Sequence, residues 1–282
     1  MSTSCVYPLG TERAFEFAEE AGYDGVEVMV TNDGITQDAD ALKALSEAYR
    51  MPILSIHAPV LLLTHFVWGT DPLVKLWRSA ELARDVGAET VVVHPPFRWQ
   101  KDYAEDFLSH VRDVSTTTGI RIAVENMFPW QLRGRAMKAY SPGWDAVALD
   151  CDDVTLDFSH AALSGQDALD LAVRLGPRLR HVHLCDGSGS IETGRVFDEH
   201  LLPGQGTQPV ARVLEFLAAS GWSGSIVAEV NIRKAKSDIE RHLALHETLD
   251  FARSHLGHHR VAPDHLRAYR RRSIDGLLGH SS

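Results

Sequence analysis

A unit in which a helix-like stretch ends near glycine and a short β-rich run follows at once recurs along almost the whole chain. It is clearest at residues 21–29, 86–94, 118–125 and 220–229. Glycine suits the end of a helix because it adopts the left-handed backbone conformation without a steric cost. Strands that alternate with helices pair in parallel, so the repeat predicts an α/β fold with one parallel sheet.

The repeat predicts eight strands and seven helices, with an irregular segment after the fifth strand. The strands are expected at residues 4–7, 26–29, 53–57, 90–94, 120–125, 154–157, 181–184 and 225–229. The helices are expected near 11–21, 38–49, 71–86, 103–118, 167–175, 209–220 and 238–256. Eight units favour closure into a single (β/α)8 TIM barrel with parallel strands. A doubly wound open sheet is the alternative, but no glycine-rich dinucleotide-binding motif follows an early strand.

The length and composition fit one domain of this kind. The chain has 282 residues, and a TIM barrel typically has roughly 250. Hydrophobic residues make up 44% and charged residues 23%, as in globular proteins that can bury a core. We expect residues 1–257 to form the barrel and residues 258–282, which include three consecutive arginines, to form a mobile basic tail.

Composition also bears on the compartment and on partners. No apolar run approaches the ~20 residues that cross a bilayer, and residues 1–10 lack a signal-peptide pattern, so we expect a cytoplasmic protein without a membrane partner. Cys5, Cys151 and Cys185 show no paired spacing, which favours reduced thiols. A net charge of -10 makes nucleic acid a less favoured partner. Apolar helix faces leave a homo-oligomer open.

Residue types that commonly bind metals stand at the ends of the predicted strands. They are Glu27, His57, His94, Glu125, Asp157, His183 and Glu229. All these ends meet on one face of a barrel, where buried polar groups are costly unless they are paired or coordinated. Any one of them alone is equally well explained as a hydrogen-bonded core residue, but their repetition favours a metal site. Mixed histidine and carboxylate ligands suit zinc, manganese, cobalt or iron better than calcium.

Two short clusters add to this pattern. Asp157 and His160 are three residues apart across a tight strand-to-loop turn, which can direct both side chains at one ion. Asp198 and His200 point to the same side if their segment is extended, because alternate residues of an extended chain share a face. Neither spacing is specific by itself.

These residues lie in segments that resemble the xylose isomerase-like TIM-barrel superfamily, which includes endonuclease IV and the sugar-phosphate isomerases and epimerases. The resemblance runs from about residue 6 to residue 256. The segments that carry it are GYDGVE (22–27), HAP (57–59), HPP (94–96), EN (125–126), DFSH (157–160), HVHL (181–184), DEH (198–200), PGQG (203–206) and AE (228–229).

The resemblance implies a set of metal ligands. The four ligands that the ketose epimerases share correspond to Glu125, Asp157, His183 and Glu229. Endonuclease IV holds three zinc ions, and its further ligands correspond to His57, His94, His160, Asp198 and His200. The expected cofactor is therefore a divalent metal, zinc or manganese, with one to three ions. Epimerases have an arginine shortly after the residue matching His183, whereas residues 187–190 here read Gly-Ser-Gly-Ser.

Three functions are compatible with this ligand set. An isomerase or epimerase would use Glu125 and Glu229 as catalytic residues, one removing a carbon-bound proton and the other returning it. An endonuclease IV-like zinc phosphodiesterase acting on abasic-site DNA would use the same glutamates as bridging ligands. A non-catalytic metal-binding or sugar-binding protein is the third alternative. We favour the isomerase or epimerase.

Basic and aromatic residues in the loops after the predicted strands favour a small anionic sugar as the substrate. The predicted substrate-binding residues are Glu27, Arg98, Trp130, Arg133, Arg135, Arg233 and Lys234. The alternative for the basic residues is ordinary solvated loop charge, and tryptophan can cover a barrel mouth as well as stack on a sugar. Gly204 and Gly206 could let backbone amides approach a phosphate, although so short a motif is a weak signal.

Overall fold

The computed structural model of the protein describes residues 1–59, 64–132, 135–189 and 198–257. Seven of its strands form one parallel sheet in the order β1-β2-β3-β4-β7-β8-β9, and β5 and β6 form a separate antiparallel hairpin. The sheet curls into a nearly closed barrel, so the predicted TIM-barrel fold is confirmed. In chain order the strands are β1 (Val26–Met29), β2 (Ile53–His57), β3 (Thr90–Val93), β4 (Arg121–Glu125), β5 (Trp130–Leu132), β6 (Arg135–Met137), β7 (Asp153–Asp157), β8 (Leu179–Leu184) and β9 (Ser225–Ala228).

Eight helices of the described chain surround the sheet. The seven predicted helices are present, each within about two residues of the expected ends. Their limits follow from capping residues, as the helix Pro72–Val86 shows. At its start, the Asp71 side chain accepts hydrogen bonds from the amides of Leu73 and Val74. At its end, Gly87 adopts the left-handed conformation. The helices are α1 (Thr11–Ala21), α2 (Ala39–Ala48), α3 (Pro72–Val86), α4 (Lys101–Thr118), α5 (Phe158–Ser164), α6 (Ala168–Leu175), α7 (Val210–Ala219) and α8 (Asp238–His255).

The core lies between the sheet and the ring of helices. Strands of a parallel sheet are covered on both faces, and this explains why they read as near-continuous apolar runs. Val28, Ile56 and Leu156 are fully buried on the strands, and Phe15 and Phe107 are fully buried on the helices that cover them. The apolar strand residues therefore form the packed core of the barrel, and the polar residues at the strand ends are not part of that apolar packing.

The barrel closes without the predicted first strand. Residues 3–6 form a short 3-10 helix, so the strand expected at residues 4–7 was wrong. Instead, the Ser2 amide donates to the carbonyl of Ala228 at 2.8 Å, and the Glu27 amide donates to the carbonyl of Met1 at 2.9 Å. The Ser2 hydroxyl accepts from the Ser4 amide at 3.3 Å, and such local side-chain bonds compete with strand pairing. Met1 and Ser2 thus bridge β9 and β1.

Two further elements differ from the sequence-based expectation. The segment after β4, expected to be irregular, contains the hairpin of β5 and β6. The segment after Asp157, expected to be a loop, begins α5 directly. The reason is that the Asp157 carboxylate accepts a hydrogen bond from the His160 amide at 2.7 Å, which caps the first turn of the helix.

No helix in the described ranges is long and apolar enough to span a bilayer. The predicted basic tail, residues 258–282, lies outside the described residues. The expected mobile tail, and the division of the chain at residue 257, stay predictions.

We expect the substitution Gly224→Ala to destabilise the barrel. A Cβ at this position would lie 2.2 Å from the backbone carbonyl oxygen of Arg180 on β8, which cannot move without disturbing the sheet. Overpacking of this kind costs about 1–3 kcal/mol. Thermal unfolding should show a melting temperature lower by several degrees. The matched control is Gly34→Ala, whose Cβ meets no atom within 4 Å. Equal melting temperatures for the two variants would contradict the packing argument.

Candidate metal centre

Four strand ends bring four buried ligand residues to one point. Glu125 ends β4, Asp157 ends β7, His183 lies near the end of β8, and Glu229 follows β9. One ligand atom from each lies within 4.8 Å of the others. The parallel register explains the convergence, since Asp157 is the direct neighbour of His183 across β7 and β8. The structure therefore brings together the four residues that the sequence resemblance assigned to a shared ion.

Glu125 is the central carboxylate of the cluster, and its two oxygens face different imidazoles. Its Oε2 lies 2.9 Å from His94 Nε2 and 3.4 Å from His57 Nε2. Its Oε1 lies 3.1 Å from His183 Nδ1 and 3.2 Å from His160 Nδ1. A carboxylate between two pairs of nitrogen donors is suited to bridge two ions.

A second group of donors lies beside the first. His160, on the first turn of α5, has its Nε2 3.0 Å from Asp198 Oδ2. His200 Nε2 lies 3.2 Å from the same Asp198 oxygen and 3.6 Å from Asp157 Oδ2. Asp157 therefore faces both groups. The expected extended geometry at residues 198–200 is not observed, because His200 has a φ of +43°, but the two outer side chains still converge.

The carboxylates and the histidines of the cluster strongly shift each other's pKa. Burial by itself lowers the pKa of His200, but the carboxylates of Asp198 and Asp157 outweigh burial and raise it to about 10. Burial also lowers the pKa of His183, but the neighbouring carboxylates outweigh burial. The pKa of His183 therefore lies well above its usual value. Burial would raise the pKa of Glu229, yet the His183 charge holds it down to about 2. In the metal-free protein, protons on histidines supply the positive charge that this site requires.

The donor set fits a divalent metal. Imidazole nitrogens and carboxylate oxygens are the ligands that zinc and manganese take, and the described residues include no lysine or arginine paired with these carboxylates. Glu125 Oε2 and His200 Nε2 are buried, and neither makes a well-aligned hydrogen bond within the described ranges. Buried polar atoms without partners are rare in folded proteins, and a bound ion would satisfy them.

Glu27 was predicted to contact substrate, and the structure places it elsewhere. It is fully buried, and its Oε2 accepts a hydrogen bond from Ser55 Oγ at 2.7 Å. The same oxygen lies 2.9 Å from His181 Nε2, and Oε1 lies 3.2 Å from His183 Nε2. With both oxygens occupied, Glu27 orients His183 from the side opposite Glu125, as second partners of metal-binding histidines do.

Sequence reasoning missed His181 and Ser55 as parts of this network. The signal for His181 was present, because it lies two residues before His183 on the same strand and so faces the same side. Ser55 gave no signal, since a serine within an apolar strand is common.

The other predicted substrate-binding residues are spread around the barrel mouth. Arg98 and Lys234 are exposed, and the exposed Arg233 packs its guanidinium over the ring of Tyr7 at 4.4 Å. Trp130 is half-buried, with its ring 5.4 Å from that of Phe97. Their contact with a substrate stays a prediction. Arg133 and the side chain of Arg135 lie outside the described part of the structure.

The glycine pair that was expected to approach a phosphate has an internal partner. The amides of Gly204 and Gly206 donate to the Asp186 carboxylate at 2.9 and 3.0 Å. Amides already bonded to a buried carboxylate are not free for a phosphate, so that expectation was wrong. A cavity of about 270 Å³ instead lies beside His94, and its wall includes Pro95, Phe97 and Trp99.

Comparison with known proteins is consistent with this geometry. A family model described as "xylose isomerase-like TIM barrel" matches residues 15–255. An uncharacterised protein of Mycobacterium tuberculosis is 47% identical over 275 residues, covering 91% of this chain and 96% of the relative. Fructoselysine 3-epimerase of Escherichia coli O157:H7 is 23% identical over 252 residues, covering 79% and 86%. A crystal structure of the IOLI protein with a bound zinc atom has a TM-score of 0.67 at 18% identity, covering 91% and 97%.

We expect metal binding to release protons. His200 has a pKa of about 10 in the metal-free protein and is therefore protonated at about pH 7, whereas an imidazole must be neutral to bind an ion. Zinc affinity should consequently rise as the pH is raised toward 10. Titration calorimetry of metal-free protein with zinc, in buffers of different ionisation enthalpy, should give at least about one proton released per chain. Zinc binding without proton release would contradict the assigned protonation.

Proposed function

Since the chain belongs to the xylose isomerase-like TIM barrel family, we propose that it is a divalent-metal-dependent isomerase or epimerase that acts on a small anionic sugar. The observation that carries this proposal is that two buried glutamates approach the same nitrogen atom of His183. His183 Nδ1 lies 3.1 Å from Glu125 Oε1 and 2.9 Å from Glu229 Oε2. Two carboxylates that face the same point can remove a proton from one face of a sugar carbon and return it from the other.

Glu125, Asp157, His183 and Glu229 would hold the ion. A divalent ion bound there would stabilise the negative charge that develops on the sugar oxygens. Burial raises the pKa of Glu125, but the charges of the neighbouring histidines lower it by more. The pKa of Glu125 therefore lies well below its usual value. Both glutamates are thus deprotonated at neutral pH in the metal-free protein, so either can accept the proton from carbon, and the one that delivers a proton to the opposite face must first take one up from solvent. Ser4 Oγ donates to Glu229 Oε1 at 3.0 Å and fixes the orientation of that carboxylate.

An anionic sugar is supported by the charges around the barrel mouth. Arg98, Arg233 and Lys234 are exposed in loops that follow the carboxyl ends of strands. The aromatic wall of the cavity beside His94, formed in part by Phe97 and Trp99, suits the apolar face of a sugar ring. The rings of Phe97 and Trp99 stack on each other with centroids 4.3 Å apart and so form one continuous aromatic surface.

A zinc phosphodiesterase is the second candidate, because the structure gathers more donors than one ion needs. Beside the four-residue site, Asp157, His160 and His200 form a further group, and so do His57, Glu125 and His183. Such a number of donors suits the multi-ion sites of phosphoester hydrolysis. The net charge of -10 argues against it, since a duplex binder needs an extended basic footprint. A non-catalytic binding protein is disfavoured by the two glutamates that face one point.

We expect Glu229→Gln and Glu125→Gln to reduce proton transfer by about 10²–10⁴-fold, because each replaces a carboxylate that accepts or returns the proton. The measurement is exchange of substrate hydrogen into deuterated water during incubation with a panel of phosphorylated and acidic sugars. Glu47→Gln, an exposed helical position, is the matched control and should behave as the unaltered protein. Circular dichroism should show that all three variants are folded. Full exchange in either site variant would rule out the two-carboxylate scheme.

Elemental analysis and a nuclease assay separate the two candidates. Fewer than three manganese, cobalt or zinc ions per chain together with sugar turnover is the expected result for the isomerase. Nicking of abasic-site duplex DNA at low enzyme concentration, with about three zinc ions and no sugar turnover, would overturn the proposal in favour of the phosphodiesterase.

A further inference from the structure

Asp186 is a fully buried carboxylate just after β8 that the proposed reaction does not use. Within the described residues, no lysine, arginine or histidine pairs with it. Its oxygens are satisfied by four backbone amides instead. Oδ1 accepts from Gly187 at 2.8 Å and Gln208 at 3.1 Å, and Oδ2 accepts from Gly204 at 2.9 Å and Gly206 at 3.0 Å.

The loop around Asp186 is shaped to reach this carboxylate. A Cβ at Gly206 would lie 2.3 Å from Asp186 Oδ1 and 2.5 Å from the Gly187 carbonyl oxygen, so no larger residue fits without displacement. Gly204 has a φ of +86°, which glycine adopts without strain. Hydrogen bonds to a charged acceptor are stronger than those to a neutral one, and four of them define a rigid turn.

The same turn is joined through Leu201 to His200, and so to the short segment that also carries Asp198. Leu201 donates to and accepts from the Asp186 backbone, with both hydrogen bonds at 2.8 Å. His200 immediately precedes Leu201, and its carbonyl accepts from the Asn231 amide at 2.7 Å. Asp198 is fixed in turn by Ser159, whose hydroxyl donates to Asp198 Oδ1 at 2.7 Å.

We propose that Asp186 is a positioning residue: it anchors the segment that carries Asp198 and His200 and so sets the affinity of the ion group formed with Asp157 and His160. This rests on the metal-binding part of the proposed function. The four-residue site of Glu125, Asp157, His183 and Glu229 takes no ligand from the anchored segment. Loss of the anchor therefore weakens one ion group and leaves the other.

The test is Asp186→Asn, which keeps the shape but turns one acceptor oxygen into a donor that faces two backbone amides. Metal-free protein is titrated with zinc alone and analysed for metal content. The unaltered chain should bind at least two ions, and the variant should lose one of them, with an affinity for that ion lower by about 10–100-fold. Asp167→Asn is the matched control, since Asp167 also accepts two backbone amides but caps the exposed start of α6. It should bind zinc as the unaltered chain does.

Three results would overturn this assignment. The first is an Asp186→Asn protein with unchanged zinc binding. The second is loss of every ion together with a melting temperature far below that of Asp167→Asn, which would indicate a purely structural role. The third is an unaltered chain that binds a single ion. Sugar turnover is measured separately on the unaltered chain, so failure of the proposed reaction with the two-ion pattern intact would leave the role of Asp186 standing.

Hydrogen exchange on the unaltered chain gives an independent test if Asp186→Asn fails to fold. The amides of Gly204, Gly206 and Gln208 should be protected equally with and without zinc, because the anchor is formed before the ion binds. Rapid exchange of these amides in the metal-free protein, with protection only after zinc is added, would overturn the assignment.

Discussion

The structure depends on balancing the negative charge that the barrel collects in its interior. Glu27, Glu125, Asp157 and Glu229 are each at most 3% exposed. A buried carboxylate without a partner costs of the order of several kcal/mol. No arginine or lysine of the described ranges enters the cluster, and imidazoles surround it instead. An imidazole can either carry a proton or bind an ion, so protonated histidines offset these carboxylates in the metal-free protein, and under the proposed function a bound ion would take over that role.

Asp186 shows the other way in which this chain buries a carboxylate. Its two oxygens accept hydrogen bonds from four backbone amides, three of them from glycines. Among the clustered carboxylates, Asp157 uses that solution only in part, since it accepts one backbone amide, that of His160, and its other oxygen faces His183 and His200. The same residue type therefore has two uses in the proposed scheme, as an anchor in a loop and as a metal ligand at a strand end.

The local pattern of the sequence was sufficient for most of the architecture. Amphipathic stretches that end near glycine located the helices to within about two residues, and the carboxyl ends of the strands gave the positions of the polar residues that converge. What could not be predicted depends on contacts between distant segments. The pairing of Met1 and Ser2 with β1 and β9 leaves no mark in residues 1–7, and the partner of His181 is Glu27, far away on β1. The amides that surround Asp186 come from residues up to 22 positions away, so the sequence did not reveal that the glycine pair has this internal partner.

The position of Glu125 explains why the ligand set alone does not select a reaction. Its Oε2 belongs to the pair His57 and His94, and its Oε1 faces His160 and His183. If ions filled both sides, each oxygen would be committed as a ligand and neither would be available to exchange a proton with carbon. Glu229 has one oxygen held by Ser4 and the other beside His183, so it would then be the less engaged carboxylate. Under the proposed function, proton transfer between two glutamates would therefore require the His57 and His94 side to be free of metal, whereas an ion held at that pair would favour the phosphodiesterase candidate.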